Sequence, residues 1–401
     1  MIKVLLVHNY YQQRGGEDKV VAQELELLQA KGIDVQAYSV HNDKIKEQGI
    51  VRKALTALET TWSHQEYLNI KKLLMDMKPD VVHVHNFFPL VSPSIYYASR
   101  QAGIPVVQTL HNYRLICPAA TFMRNNQVCE ECLHGSLMNS VKNGCYRNSK
   151  VQTLPVASMI KINRIMGTWS RQVNRYIVLT EFAKKKFIQS GLPAERIVVK
   201  PNFIKRPRKS ASLPPVHNYI VFVGRISAEK GVQNLLEAWR LVRNKSETKL
   251  LVIGDGPERE RLSAMYGDES VQFLGNQDAE TVLQYMEHAR YLAVPSIWYE
   301  GFPMTIVESY SVGTPVLCSR IGALEEVVKD AVTGFHFSHD NIEHISETIE
   351  HALDNIHYQE MRNNVRRAYE ALYTEDVSFN QILNIYKEVI EENAYAKTNE
   401  I

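Results

Sequence analysis

Glu300 and Glu308 frame the segment "EGFPMTIVE", one acid on either side of a Gly301-Phe302-Pro303 turn and an apolar run. An ionised carboxylate accepts hydrogen bonds from the hydroxyls of a sugar. The turn reads as a helix start, with Pro303 suited to the first helical position. The backbone N–H groups of Met304 and Thr305 would then lack intrahelical acceptors and could hold an anion. Glu308 would stand about 8 Å farther along the axis at 1.5 Å rise per residue. A ligand with hydroxyls at both ends and phosphates between them uses all three features, and a nucleotide-sugar has that layout. The competing reading is a helix-dipole acid plus a separately satisfied buried one, although an acid inside "MTIVES" is poorly placed for that.

Other strand ends carry related chemistry. In "VFVGRISAEKG" (221–231) a strand stops at Gly224, Arg225 follows at once, and Lys230 stands where the next helix begins. A glycine lets a ligand approach the backbone, and two cations at a helix N-terminus suit a diphosphate. Two solvated charges at a strand end are the plain alternative. "VIGDGPERERL" (252–262) repeats the design with Gly254, Gly256 and Pro257 at a helix start, and a nucleoside could lie against this loop. It is not G-x-G-x-x-G, which argues against a dinucleotide. In "HNYYQQRGGED" (8–18), Gly15 and Gly16 either admit phosphate or sugar to the backbone or simply make a turn. His85 in "HVHNF" and His111 in "QTLHNY" each end a strand, where they touch substrate or serve as hydrogen-bonded structural groups.

The elements that must position these residues are short Val/Ile/Leu runs alternating with helical patterns. The first half has "KVLLVH", "DVQAYSV", "DVVHVH", "IPVVQTLH" and "RYIVLT"; the second has "YIVFVG", "KLLVIG", "VQFLG", "YLAVPS" and "PVLCS". None shows the alternation of a half-exposed strand, as expected when helices cover both faces of a parallel sheet. With 401 residues, two α/β domains are expected. They are Rossmann-like doubly wound parallel sheets facing a cleft, residues 1–204 and 205–401, and the last helix is a candidate to pack back on the first. The proline- and cation-rich stretch 200–218 reads as the linker. In such folds ligands bind outside the carboxyl ends of strands, which is where the motifs fall.

Charge divides unevenly, +11 over residues 1–204 and −9 over 205–401. The basic half suits an anionic partner, either nucleic acid or a membrane surface, or is simply solvated. Nucleic acid is disfavoured by the acidic second half and the absence of its motifs. The stretch 157–176 mixes Met, Ile and Trp with Lys161, Arg164, Arg171 and Arg175, which fits a basic amphipathic helix on an anionic membrane or a core helix with a solvated side. No apolar run is long enough to span a bilayer and no leader pattern opens the chain, so a cytoplasmic protein is expected, peripheral at most on the inner face of the membrane. Cys117, Cys129, Cys132 and Cys145, in an insertion at about 117–145, either close a structural zinc site or are thiols on a loop. Cys318 reads as a core residue.

Taken together, the E-x7-E pattern with "EGFP" inside it, G-R-x4-K and "GDGP" resemble the retaining glycosyltransferases of family 4 (glycosyltransferase group 1), over nearly the whole chain. The resemblance implies the two-domain GT-B fold. It implies a nucleotide-diphosphate sugar donor, with UDP favoured, and a saccharide acceptor, lipid-linked where the basic surface meets membrane. It places Glu300 on the transferred sugar, Glu308 on the ribose, and Arg225 and Lys230 on the leaving diphosphate, assisted by N–H groups around Thr305. Gly15 and Gly16 would close over the donor and His111 would lie near the anomeric carbon, with His85 on the acceptor side. No D-x-D pair occurs, which fits chemistry without a catalytic metal or organic cofactor. A nucleotide-sugar epimerase or glycan phosphorylase on the same fold, and a non-catalytic nucleotide-sugar-binding partner subunit, are the competing readings.

Overall fold

The computed structural model describes residues 2–12, 15–205, 215–243, 245 and 247–399. Two compact units result, Met1–Phe122 with Glu130–Pro201 and Ser378–Ile401, and Met123–Cys129 with Asn202–Val377. The chain thus passes between them near 201, and the cysteine-rich segment lends a short piece to the second unit. Of the expected linker, residues 206–214 lie outside the described residues.

In the first unit, β1 (Lys3–Tyr10), β2 (Asp34–His41), β3 (Val81–Asn86), β4 (Val106–Leu110), β7 (Arg175–Val178) and β8 (Ile197–Val199) form one sheet; β5 (Met123–Arg124) and β6 (Gln127–Val128) form a separate hairpin. The sheet order is β2-β1-β3-β4-β7-β8 and every pair is parallel. Strand order reverses between β1 and β3, which makes the ends of those strands the switch point. One face packs Val4, Val81, Val107 and Ile177 against Leu28 and against Ile382, Ile385, Tyr386 and Val389. The last four belong to the helix Glu375–Asn399, whose residues from Ser378 onward are part of this unit.

The second sheet contains β9 (Tyr219–Val223), β10 (Lys249–Ile253), β11 (Val271–Gly275), β12 (Tyr291–Val294), β13 (Val316–Ser319) and β14 (Gly334–Phe337), ordered β11-β10-β9-β12-β13-β14 and all parallel. Alternate residues feed two separate cores. Ile220 and Phe222 join Leu235, Trp239 and Ile349 on one face; Val221 joins Leu292, Ile306, Tyr310 and Tyr369 on the other. Burial on both faces is why these strands read as unbroken apolar runs. The switch point lies between β9 and β12.

Several expectations need correction. The edge strands β8 and β14 are only three and four residues long, too short for their apolar content to stand out. Residues 157–176 are not one helix. The helix Lys150–Ile165 ends, Gly167 turns with φ of +71°, Thr168–Arg171 makes a short helix, and β7 begins at Arg175. Arg175 itself bonds Glu392 at 2.5 Å instead of facing outward. Pro257 precedes a helix that starts only at Arg259.

Candidate active site

The second unit gathers its charges at the switch point. β9 ends at Val223, and the turn Ala228–Lys230 leads to the helix Val232–Leu241. Gly231 makes the join with φ of +66°, and a Cβ there would stand 1.9 Å from the Pro295 carbonyl oxygen just past β12. Only glycine allows that approach. Ile297 N–H also donates to Glu229 O at 3.0 Å, so the two loops are locked together. The result is a short ion pair in which Lys230 Nζ donates to Glu300 Oε1 at 2.7 Å; Ser296 Oγ donates to the same oxygen at 2.7 Å. Lys230 also sits over the Trp298 ring, 5.4 Å from its centroid. Burial pushes the Glu300 carboxyl up, but Lys230 and Ser296 outweigh it and hold it below the usual carboxylate range. Glu300 is therefore an anion with one oxygen accepting two hydrogen bonds.

The rest of the expected donor set lies on this loop, on the loop after β10 and on the turn and helix that follow Glu300. Arg225 is exposed. Gly254 has φ of +134°, and a Cβ on it would lie 1.9 Å from the Gly224 carbonyl oxygen. The Gly224 and Gly254 loops thus pack backbone on backbone, which is a correction to the idea that both glycines make room for a ligand. Pro303 caps the helix Met304–Ser311 instead of occupying its first position. Met304 N–H donates to Phe302 O at 3.0 Å, so of the two expected anion donors only Thr305 N–H lacks an acceptor among the described residues. Gly301 and Phe302 are half-buried in the turn, with Phe302 against the core. Glu308 is half-buried, between buried Val307 and buried Ser309 on the helix Met304–Ser311.

The first unit holds a different cluster. Gly15 caps the helix Gly16–Ala30; both glycines are exposed, with open space where a Cβ would be. Asp18 Oδ2 accepts from Gly15 N–H at 3.0 Å, and Asp18 Oδ1 lies 2.7 Å from His8 Nε2. Burial lowers His8 to about 4, so this ring is neutral near pH 7. Glu17 accepts from Tyr11 Oη at 3.1 Å and Asn112 Nδ2 at 3.2 Å, and burial raises its carboxyl to about 8. His85 Nδ1 lies 2.9 Å from His111 Nε2 with the rings stacked. Both rings line a cleft with Tyr11, Phe88, Asn112 and Arg114. Beneath them, Glu24 Oε1 is 3.2 Å from His85 Nε2 and 3.4 Å from His83 Nδ1, and Lys200 Nζ bonds Glu24 Oε2 at 3.2 Å.

The structure therefore brings Lys230 to Glu300 and His85 to His111. Glu24, His83, Lys200 and Ser296 were missed. Glu24 had a signal: with Val20, Val21, Leu27 and Leu28 it lies on the buried stripe of its helix, where an acid needs a partner. Lys200 had none, being one more cation in a basic stretch. Among the described residues, Glu24, His83 and His85 form the set of three or more metal-type ligands with all donor atoms within 4.8 Å of one another. Cys117, Cys132 and Cys145 of the first unit do not form such a set, and Cys129 is counted with the second unit. Cys318 is fully buried in the second core.

Two family models together cover most of the chain. Residues 14–206 match Glycosyltransferase Family 4, and residues 204–369 match Glycosyl transferases group 1. An uncharacterised glycosyltransferase of Methanocaldococcus jannaschii is 28% identical over 189 residues, covering 46% of this chain and 48% of the relative. A lipopolysaccharide 1,2-N-acetylglucosaminetransferase of Salmonella typhimurium is 28% identical over 186 residues, 41% of this chain and 49% of the relative. The matches thus span about half the length of these curated relatives. An Anabaena protein crystallised with UDP and glucose superposes with a TM-score of 0.66 at 16% identity, covering 97% of this chain and 100% of the neighbour. At that identity the likeness establishes the fold.

Proposed function

The chain belongs to the glycosyltransferases of family 4 and group 1, with the GT-B fold, and on that footing we propose that it transfers a sugar from a nucleotide-diphosphate donor to a saccharide acceptor with retention of anomeric configuration. The observation that carries the reading is the Lys230–Glu300 pair at the switch point of the second sheet, with Arg225 exposed on the adjoining loop. Breaking the bond between sugar and diphosphate leaves negative charge on the phosphates and positive character on the sugar. Lys230 and Arg225 supply fixed positive charge for the first, and the Glu300 anion faces the second. These groups stabilise the departing diphosphate without requiring a metal ion. Glu308, farther along the helix that starts beside them, is assigned to the ribose. The Anabaena neighbour's UDP supports a uridine donor.

For the acceptor, a lipid-linked saccharide is favoured by the surface of the helix Lys150–Ile165. Ile162, Ile165 and Met166 are exposed beside exposed Lys161 and Arg164, a pairing that suits an anionic bilayer surface. No helix among the described residues is long and apolar enough to cross a membrane. Kinetics on two variants test the donor site. Glu308→Ala should weaken UDP binding by roughly tenfold with turnover largely kept, whereas Arg225→Ala should depress turnover by about 10²-fold. Wild-type values in both would refute the assignment.

A further inference from the structure

We propose that Glu24 and Lys200 are positioning residues which, acting through His85, hold the His111 ring in one tautomer, with its proton on Nε2 and its lone pair on Nδ1. The chain of contacts is continuous. Lys200 Nζ bonds Glu24 Oε2 at 3.2 Å, Glu24 Oε1 stands 3.2 Å from His85 Nε2, and His85 Nδ1 stands 2.9 Å from His111 Nε2. The Glu24–His85 approach is off-line for an ideal hydrogen bond but within ion-pair range. Glu24, His85 and Lys200 are all buried, at 3–4 % exposure.

Charge fixes the proton positions. Burial would raise the Glu24 carboxyl, but the adjacent Lys200 ammonium leads the groups that keep it well below the usual carboxylate range. An anion facing His85 Nε2 favours a proton on that nitrogen. Glu24 and Lys200 already cancel, so an imidazolium at His85 would leave a net buried charge; the neutral ring avoids that cost. Neutral His85 with its proton on Nε2 presents a lone pair at Nδ1. His111 must then donate from Nε2. Burial also keeps His111 neutral, which leaves an unprotonated Nδ1. That nitrogen makes no hydrogen bond to a described residue, and the half-buried ring lines the cleft with Tyr11 and Asn112. It is an acceptor for a hydroxyl of a bound saccharide.

A divalent cation is the other occupant that the Glu24, His83 and His85 set could suggest. Lys200 already neutralises Glu24, and both ring nitrogens of His83 are engaged, at 2.7 Å by Tyr386 Oη and 2.8 Å by Thr109 Oγ1. The cluster is complete as it stands.

The use made of His111 rests on the sugar-transfer reading; its tautomer does not. Side-chain ¹⁵N–¹H spectra of the full-length chain labelled at histidine, with His85→Gln and His111→Gln for assignment, read the proton positions directly. Both rings should show a protonated Nε2 and a bare Nδ1 near pH 7. A proton on His111 Nδ1, or an imidazolium at His85, would overturn the proposal, and the wild-type spectrum alone decides this. The double variant Glu24→Leu with Lys200→Met replaces a buried ion pair by apolar groups, a change that is often tolerated. It should shift His111 to a tautomer mixture and lower kcat by about 10- to 100-fold with the donor KM within about twofold. An unchanged His111 spectrum in that variant also overturns the idea. Because the spectra need no activity, failure of the relay and failure of the transferase reading give different results.

Discussion

At the end of β12, Glu300 meets Lys230 at 2.7 Å, with the lysine side chain 27 % exposed; at the end of β8, Lys200 meets Glu24 at 3.2 Å, with both side chains only 4 % exposed. The two pairs have the same chemistry and opposite access. A partly exposed ammonium has three N–H donors, so it can exchange solvent for an arriving phosphate while keeping its carboxylate. A sealed pair has no such exchange open to it, and its effect is confined to the groups it touches. In the second unit the charge is open to solvent, whereas in the first it is sealed beside a pair of histidine rings. The framework differs in the same sense, with backbone-on-backbone loop packing in the second unit and side-chain bonds in the first.

Three perturbations can break or sharpen this contrast. Lys230→Ala should give the largest effect, a 10²–10³-fold fall in turnover as the diphosphate loses a fixed donor. Steady-state rates with saturating donor measure it, and a loss below about fivefold would mean that the exposed pair is merely structural. Next comes a pair of glycine variants. Gly254→Ala places a methyl against the Gly224 carbonyl at φ of +134° and should cost about 1–3 kcal/mol in denaturant unfolding. Gly15→Ala, in open space at φ of −111°, should change stability by less than about 0.5 kcal/mol. Equal costs would erase the difference in loop construction.

The smallest effect concerns Glu17. Its folded carboxyl is raised from 4.5 to about 8, so between those values the folded state keeps a proton that the unfolded chain has released. Stability therefore falls as pH rises through that window. Glu17→Gln removes the penalty. Its advantage over wild type should grow from near zero at pH 4.5 to about 1–2 kcal/mol at pH 8, after discounting for a half-buried site. A pH-independent difference would place Glu17 in contact with solvent.

Much of this was legible in the residues because parallel strands buried on both faces leave short apolar runs bounded by turn residues. "YIVFV" and "YLAV" announce both the strand and the position of whatever follows it. Arg225, Lys230 and Glu300 were singled out for that reason. What could not be read depends on which loop touches which. Gly254 is the same letter whether it faces a phosphate or the Gly224 carbonyl. Pro303 reads as a first helical residue, and only its non-helical backbone, with ψ of +84°, makes it the cap instead. The Lys200–Glu24 bond joins residues 176 positions apart, beyond the reach of any local pattern. His85 and His111 were singled out as strand ends, but the contact between their rings depends on β3 and β4 being neighbours.

The helix Glu375–Asn399 has a consequence for the birth of the molecule. Ile382, Tyr386 and Val389 complete an apolar face formed by strands near the start of the chain, yet the whole of 202–377 must be synthesised in between. At about 5–20 residues per second, that sheet waits on the order of 10–35 s on the ribosome with one side uncovered. Nascent chains stalled just short of Ser378 should therefore be sought by chaperones that recognise bare hydrophobic surface, and release should coincide with the arrival of the final coil of helix.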